Sequence, residues 1–148
     1  MATPPMRVRG GPELVAALHR VSKKLASGPA TIEVLKAGGR KVADEWARRV
    51  PIGEAPHDPH PGAYRRAMES PDSVYVDASD PAGTRVYVRP ANLTDLDIRD
   101  QPRWYAGRLE FGDASRSPEP SARAAAESSK AEVIQIVSAG ISRVVKTL

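Results

Sequence analysis

Ser73-Val74-Tyr75-Val76-Asp77, a break at Asp80-Pro81-Ala82-Gly83, and then Arg85-Val86-Tyr87-Val88-Arg89 form the stretch that decides the fold. Val74 and Val76, and then Val86 and Val88, alternate with their neighbours, which is the period of a half-buried strand. Between the two runs, Asp, Pro and Gly are turn chemistry. The stretch therefore predicts a β-hairpin in a chain whose flanks follow a different period.

Upstream the period is helical. From Pro12 onward Leu14, Leu18, Val21 and Leu25 recur at spacings of four, three and four, marking one apolar stripe that stops at Ser27-Gly28-Pro29. Thr31 is the expected N-cap of a second helix, with Ile32, Leu35, Gly39, Val42, Trp46 and Val50 on one face and Pro51 ending it. Gly38-Gly39 in its middle costs about 1 kcal/mol per glycine against alanine, so either a close helix contact or a kink is expected there. Pro51 to Gly62 holds four prolines in twelve residues and excludes regular structure. Ala63 to Ser70 reads equally as a short helix or a strand.

Downstream, residues 90–103 read as a long exposed loop, a length that in a compact domain points to function or motion. Trp104 to Phe111 is expected as a third strand and Gly112 to Pro120 as a turn. From about Ser121 a final helix runs to the end, with Ile134, Val137, Ile141, Val144 and Leu148 along one side. The expected fold is α+β: two N-terminal helices and a long C-terminal helix packed on a small antiparallel sheet. Residues 1–11 form a flexible arm, and 12–148 a single domain.

Composition narrows the function. Aromatic residues make up 5% of the 148, so the core is built from Val, Leu, Ile and Ala. The absence of cysteine excludes disulfides, thiolate zinc sites and a cysteine nucleophile, and suits a reducing cytosol. No window approaches the roughly 20 apolar residues that span a bilayer, and the first ten residues lack a signal-peptide run, so a chain that is neither exported nor membrane-bound is expected. The net charge of +4 is unevenly spread. Residues 1–50 carry ten Lys/Arg against four Asp/Glu, residues 51–112 seven against ten, and residues 113–148 five against four. Separated signs suit a head-to-tail contact between identical subunits, because each copy offers both.

Catalytic chemistry finds no support. His57-Asp58-Pro59-His60 is the only cluster resembling a metal site, and a proline-rich loop does not hold ligands rigidly, so no metal is expected. No Gly-x-Ser-x-Gly elbow singles out a serine, and neither Gly10-Gly11 nor Gly38-Gly39 belongs to a phosphate loop, so no catalytic residue and no cofactor is expected. Nucleic acid is the stronger rival. Arg7, Arg9, Arg20, Lys23, Lys24, Lys36, Arg40, Lys41, Arg48 and Arg49 could line a phosphate-facing surface, although no zinc finger or clear helix-turn-helix spacing accompanies them. The alternative reading is thus a small basic DNA-binding protein.

Three separated pieces carry a resemblance. The first is Val42-Ala43-Asp44-Glu45-Trp46-Ala47-Arg48-Arg49-Val50-Pro51-Ile52, and the second Gly62-Ala63-Tyr64-Arg65-Arg66-Ala67-Met68. The third is Trp104-Tyr105-Ala106-Gly107-Arg108-Leu109-Glu110-Phe111-Gly112, followed by Pro118-Glu119-Pro120-Ser121-Ala122-Arg123-Ala124-Ala125. In order and spacing, over about residues 12–148, they resemble the siphophage tail-component family of neck proteins, the head-to-tail joining or tail-completion proteins. The chain departs from the pattern in a longer Pro51 to Gly62 segment, in Ser121 where an aromatic normally follows the last proline, and in residues 90–103, which look like an insertion. The resemblance implies a virion protein, assembled in the host cytoplasm, that closes into a ring of six between the head connector or stopper and the tail tube or terminator. It implies no turnover, no cofactor and no membrane, with transient contact to the exiting genomic DNA. The residues singled out for the assembly interface are Tyr64, Arg65, Arg66, Trp104, Tyr105, Arg108, Glu110 and Phe111, with the arginines expected to pair with acidic groups of the next subunit.

Overall fold

The computed structural model describes residues 11–53, 59–79, 83–112, 114–115 and 117–148, with the backbone alone at Gly11 and Tyr105. The expected N-terminal arm and the residues Asp80 to Ala82 of the hairpin turn lie outside them, Gly11 apart.

The elements follow in the order α1 (Gly11–Ser27), α2 (Pro29–Arg49), α3 (Ala63–Glu69), β1 (Val74–Asp77), β2 (Arg85–Val88), α4 (Pro102–Phe111) and α5 (Ser121–Lys146). The fold is α+β, with most residues helical and the sheet reduced to the hairpin. β1 and β2 pair antiparallel with Val74 opposite Val88, Tyr75 opposite Tyr87, and Val76 opposite Val86. The valines turn toward the helices, and the tyrosines stay half exposed on the outer face, their rings 6.3 Å apart.

Trp104 to Phe111 is not the expected third strand; it is helix α4. Trp, Tyr and Phe favour strands only weakly, and two stronger local signals oppose them. Pro102 stands at the start, where its fixed φ suits a helix's first turn, and Gly112 takes φ 71° just beyond the end. Pro102, Ala106 and Leu109, at helical spacing, are buried. The same proline effect moves the start of α2. Gly28 is its N-cap and Pro29 opens it, so Thr31, expected as the cap, lies inside the first turn and is buried. The ambiguous stretch after Gly62 resolves as α3.

α2 is the element on which the others pack. Along one side runs α5, and across another lies the hairpin. Both approaches are closed by glycine. A Cβ on Gly39 would lie 2.8 Å from Cγ1 of both Val74 and Val86, and one on Gly140 of α5 would lie 2.4 Å from Val34 Cγ1. Gly38-Gly39 therefore marks a close approach, of α5 at Gly38 and of the hairpin at Gly39. Around the far half of α2, Ala43, Trp46, Ala47 and Val50 meet Tyr64 and Met68 of α3, Leu109 of α4 and Ala125 of α5. Among the described residues no helix is long and apolar enough to cross a membrane.

The glycine distances rank substitutions. Gly140→Ala gains helix propensity worth about 1 kcal/mol but drives a methyl into the backbone-proximal branch of Val34, an overpacking that costs about 1–3 kcal/mol. A Cβ on Gly38 meets only Val137 Cγ2 at 3.1 Å and Val133 Cγ1 at 3.4 Å, side-chain tips that can shift by tenths of an ångström. Urea denaturation is expected to show Gly140→Ala destabilised by about 1–2 kcal/mol and Gly38→Ala unchanged or slightly more stable.

Candidate assembly surfaces

The residues singled out in the sequence separate into two groups, those consumed inside the molecule and those left on its outside. Tyr64 belongs to the first. It is 3% exposed, with its ring edge-on to Trp46 at 6.2 Å, so it is a core side chain and not a surface group. Arg65 donates from Nε to the Ala47 carbonyl at 3.1 Å, satisfying a carbonyl near the end of α2 that has no partner within the helix. Together with Asp44, Ala47, Arg48 and Glu69 it lines a shallow open groove of about 410 Å³.

Glu110 is also internal. Its Oε1 accepts from Ser121 Oγ at 2.9 Å and from the Ala122 backbone N–H at 2.6 Å. Pro120 offers α5 no side-chain cap and its first turn holds no acidic residue. Glu110, at the end of α4, therefore supplies from a distance both the acceptor and the negative charge that a helix N-terminus favours. Ser121 Oγ in turn accepts from Trp46 Nε1 at 3.1 Å. One chain of hydrogen bonds, indole to hydroxyl to carboxylate, thus ties α2 to α5 to α4. The sequence alone placed Glu110 at a strand end and on the interface; the helix puts it over the start of α5.

On the outside stand Arg66, Trp104, Arg108 and Phe111. Arg66 reaches the Pro61 carbonyl at 3.2 Å and is exposed. Trp104 is 50% exposed with the Arg108 guanidinium 5.4 Å above its ring, and Phe111 is 76% exposed. α4 consequently has two apolar faces, one in the core and one in solvent. Ile98, 75% exposed, lies in the loop that leads into it. That loop, expected over residues 90–103, is irregular from Arg89 to Gln101, Pro102 and Arg103 having joined α4, and it is pinned at its start, where Pro90 and Ala91 are buried and Ala91 N–H donates to Ala67 O. The Tyr105 side chain lies outside the described residues.

Sequence reasoning missed the second exposed apolar surface. The stripe of α1 reads as core-facing, yet Leu14 is 60% and Leu18 59% exposed, with the neighbouring Val15 at 54%, and of the stripe only Leu25 is half-buried. Thr84 Oγ1 donates to the Ala26 carbonyl at that same end. Two members of the expected α5 stripe, Ile134 and Leu148, are likewise about half exposed.

The basic residues offered as a phosphate-facing surface are largely occupied at home. Arg40 donates to Asp44, to Ser73 Oγ and to the carbonyls of Ser70 and Met68, and so closes the end of α3. Lys36 pairs with Glu33, Lys41 with Glu132 at 2.7 Å, and Arg48 and Arg49 both with Glu45. Arg20, Lys23 and Lys24 on α1 stand outside these pairs, and Arg7 and Arg9 lie outside the described residues. Of the proline-loop cluster, His57 and Asp58 are outside as well, while His60 Nε2 faces Asp100 Oδ2 at 3.4 Å. Among the described residues no group of three His, Cys, Asp or Glu converges as a metal site would require.

Comparison with known proteins finds no matching family model, no matching curated protein and no matching solved structure.

Breaking the hydrogen-bonded chain at its middle, Ser121, or at its carboxylate end, Glu110, leaves a buried donor or an uncapped helix. Ser121→Ala is expected to destabilise by about 1–3 kcal/mol, because Trp46 Nε1 loses its acceptor in the core. Glu110→Ala is expected to cost about 1–2 kcal/mol as a lost cap. A double-mutant cycle read by urea melts checks the linkage: the two losses together should fall short of their sum by more than about 0.5 kcal/mol.

Proposed function

We propose that this chain is a structural subunit of a tailed-phage neck, a head-to-tail joining or tail-completion protein that closes into a ring, of six copies as the family resemblance implies, between the head connector and the tail tube. The observation that carries the proposal is the pair of uncovered apolar faces on different elements, Leu14, Val15 and Leu18 of α1 and Trp104 and Phe111 of α4. Scattered single apolar residues on a surface are ordinary, whereas two grouped faces on separate helices are what a subunit with two distinct neighbours presents. A ring of identical chains is built by such heterologous contacts, in which one patch meets a different patch of the next copy.

The rival reading as a small basic DNA-binding protein draws less support, since Lys36, Arg40, Lys41, Arg48 and Arg49 already serve carboxylates or carbonyls of the same molecule. Arg20, Lys23 and Lys24 remain for passing contact with the genome in a ring lumen.

Electron microscopy of particles assembled without this protein tests the reading. Filled heads and finished tails that remain apart are the expected result; normal joined particles sink it. A mobility-shift titration decides the rival: weak, sequence-indifferent retention that vanishes by about 200 mM salt fits a lumen contact, while tight, sequence-selective binding by a monomer favours the DNA-binding protein.

A further inference from the structure

The second half of α1 holds the densest basic cluster of the chain. Arg20, Lys23 and Lys24 fall within five residues, and no other stretch of five contains three Lys or Arg. All three are exposed, and among the described residues none has a hydrogen-bond or ion-pair partner for its charge. On α2, by contrast, Lys36, Arg40, Lys41, Arg48 and Arg49 each pair with a carboxylate of the same chain.

The backbone beneath the cluster is the tied end of α1. Ser27 Oγ donates to Lys23 O at 3.2 Å, Gly28 N–H to Lys24 O at 2.9 Å, and Thr84 Oγ1 to the Ala26 carbonyl. A Cβ on Gly28 would lie 2.3 Å from Lys24 O, so glycine is what lets the chain turn there directly into α2. Around this turn Arg20, Lys23, Lys24, Ser27 and Gly28 line an open concavity of about 360 Å³.

The chemistry of the cluster selects a polyanion. Helical residues three and four apart are neighbours, about 5–6 Å between Cβ atoms, so the three charges act on one small region. A duplex nucleic acid offers one phosphate charge per about 1.7 Å of axis, and long side chains this close together reach two or three neighbouring phosphates. The concavity holds no aromatic ring to stack a base and, apart from the already bonded Ser27 hydroxyl, no neutral polar side chain to read one. A bilayer fits less well, because α1 carries no aromatic anchor and a flat surface does not enter a concavity. Glu13, the one acidic residue of α1, lies about 10 Å from Arg20 along the axis, a distance over which salt screens exposed charges.

We propose that Arg20, Lys23 and Lys24 form a contact site for the phosphate backbone of duplex DNA, indifferent to its sequence. This deepens the neck reading and rests on it for its setting, since a ring around the genome's path brings several copies of the site to one duplex. The site itself belongs to the single chain.

Fluorescence anisotropy with a labelled duplex of about 30 base pairs, titrated at several salt concentrations, tests it. One variant, Arg20→Gln with Lys23→Gln and Lys24→Gln, removes the site. A second, Arg123→Gln with Lys130→Gln and Lys146→Gln, removes the same charge from exposed, unpaired positions spread along α5. Glutamine keeps helix propensity, and circular dichroism confirms both folds. Each lost phosphate contact lowers the slope of log affinity on log salt by about 0.9. The α1 variant is therefore expected to show a slope shallower by about 2–3 and at least a tenfold loss of affinity at about 50 mM salt, and the α5 variant to stay within about twofold of the parent. Equal losses in the two variants would mean that net charge alone holds the duplex. An α1 variant that binds like its parent, or a parent that does not bind, would mean that the cluster makes no such contact. A loss confined to vesicles containing phosphatidylserine would make a lipid surface the partner. Each of these results overturns the proposal. Failure here with unjoined particles in the microscope leaves the neck role standing, and the expected slope difference with normal particles leaves the contact standing without it.

Discussion

Everything in this molecule is arranged around the closeness with which α2 is approached from two sides. Gly39 lets the valines of the hairpin lie against the helix backbone, and Gly140 lets Val34 of α2 press into α5. A domain with a single phenylalanine and 5% aromatic residues has few large groups with which to fill a core. Bringing backbones together substitutes for bulk: small residues on both partners keep dispersion contacts dense where large side chains are lacking. The cost is borne by α2, which carries two adjacent glycines in mid-helix and holds its shape through tertiary packing.

Beyond that contact, the polar groups are organised to finish helix ends that local sequence leaves open. Arg40 closes α3, Arg65 serves the end of α2, and Glu110 caps α5. Three side chains that could have been read as binding groups are thereby assigned to the interior architecture. Left uncovered on the outside are the apolar stripe of α1 and the Trp104 and Phe111 face of α4.

The hairpin, the first helix, the stop at Gly28-Pro29 and the long final helix were legible because period and turn chemistry are local properties. α4 was misread since Trp104, Tyr105 and Phe111 carry strand propensity, and the decisive Pro102 and Gly112 flank the segment instead of lying within it. Burial was the less legible property. A 4-3-4 stripe tells that one face of α1 is apolar but not whether the covering surface belongs to the same chain, and here it is left open. The role of Glu110 was invisible for a related reason, as its partners at Ser121 and Ala122 are brought to it only by the turn after Gly112. Of the assembly residues, Trp104, Arg108 and Phe111 do lie outside, while Tyr64, Arg65 and Glu110 were drawn inward by contacts that no spacing rule encodes.

The placement of the two tryptophans gives the protein a pair of built-in optical labels with separate views. Trp46 sits in the interior with its indole N–H held by Ser121, and so its emission senses the state of packing between α2 and α5. Trp104 stands half in water beneath a guanidinium, and its emission senses whatever settles over α4. The packing of the interior and the covering of α4 are thus viewed by two different chromophores, one buried and one half exposed.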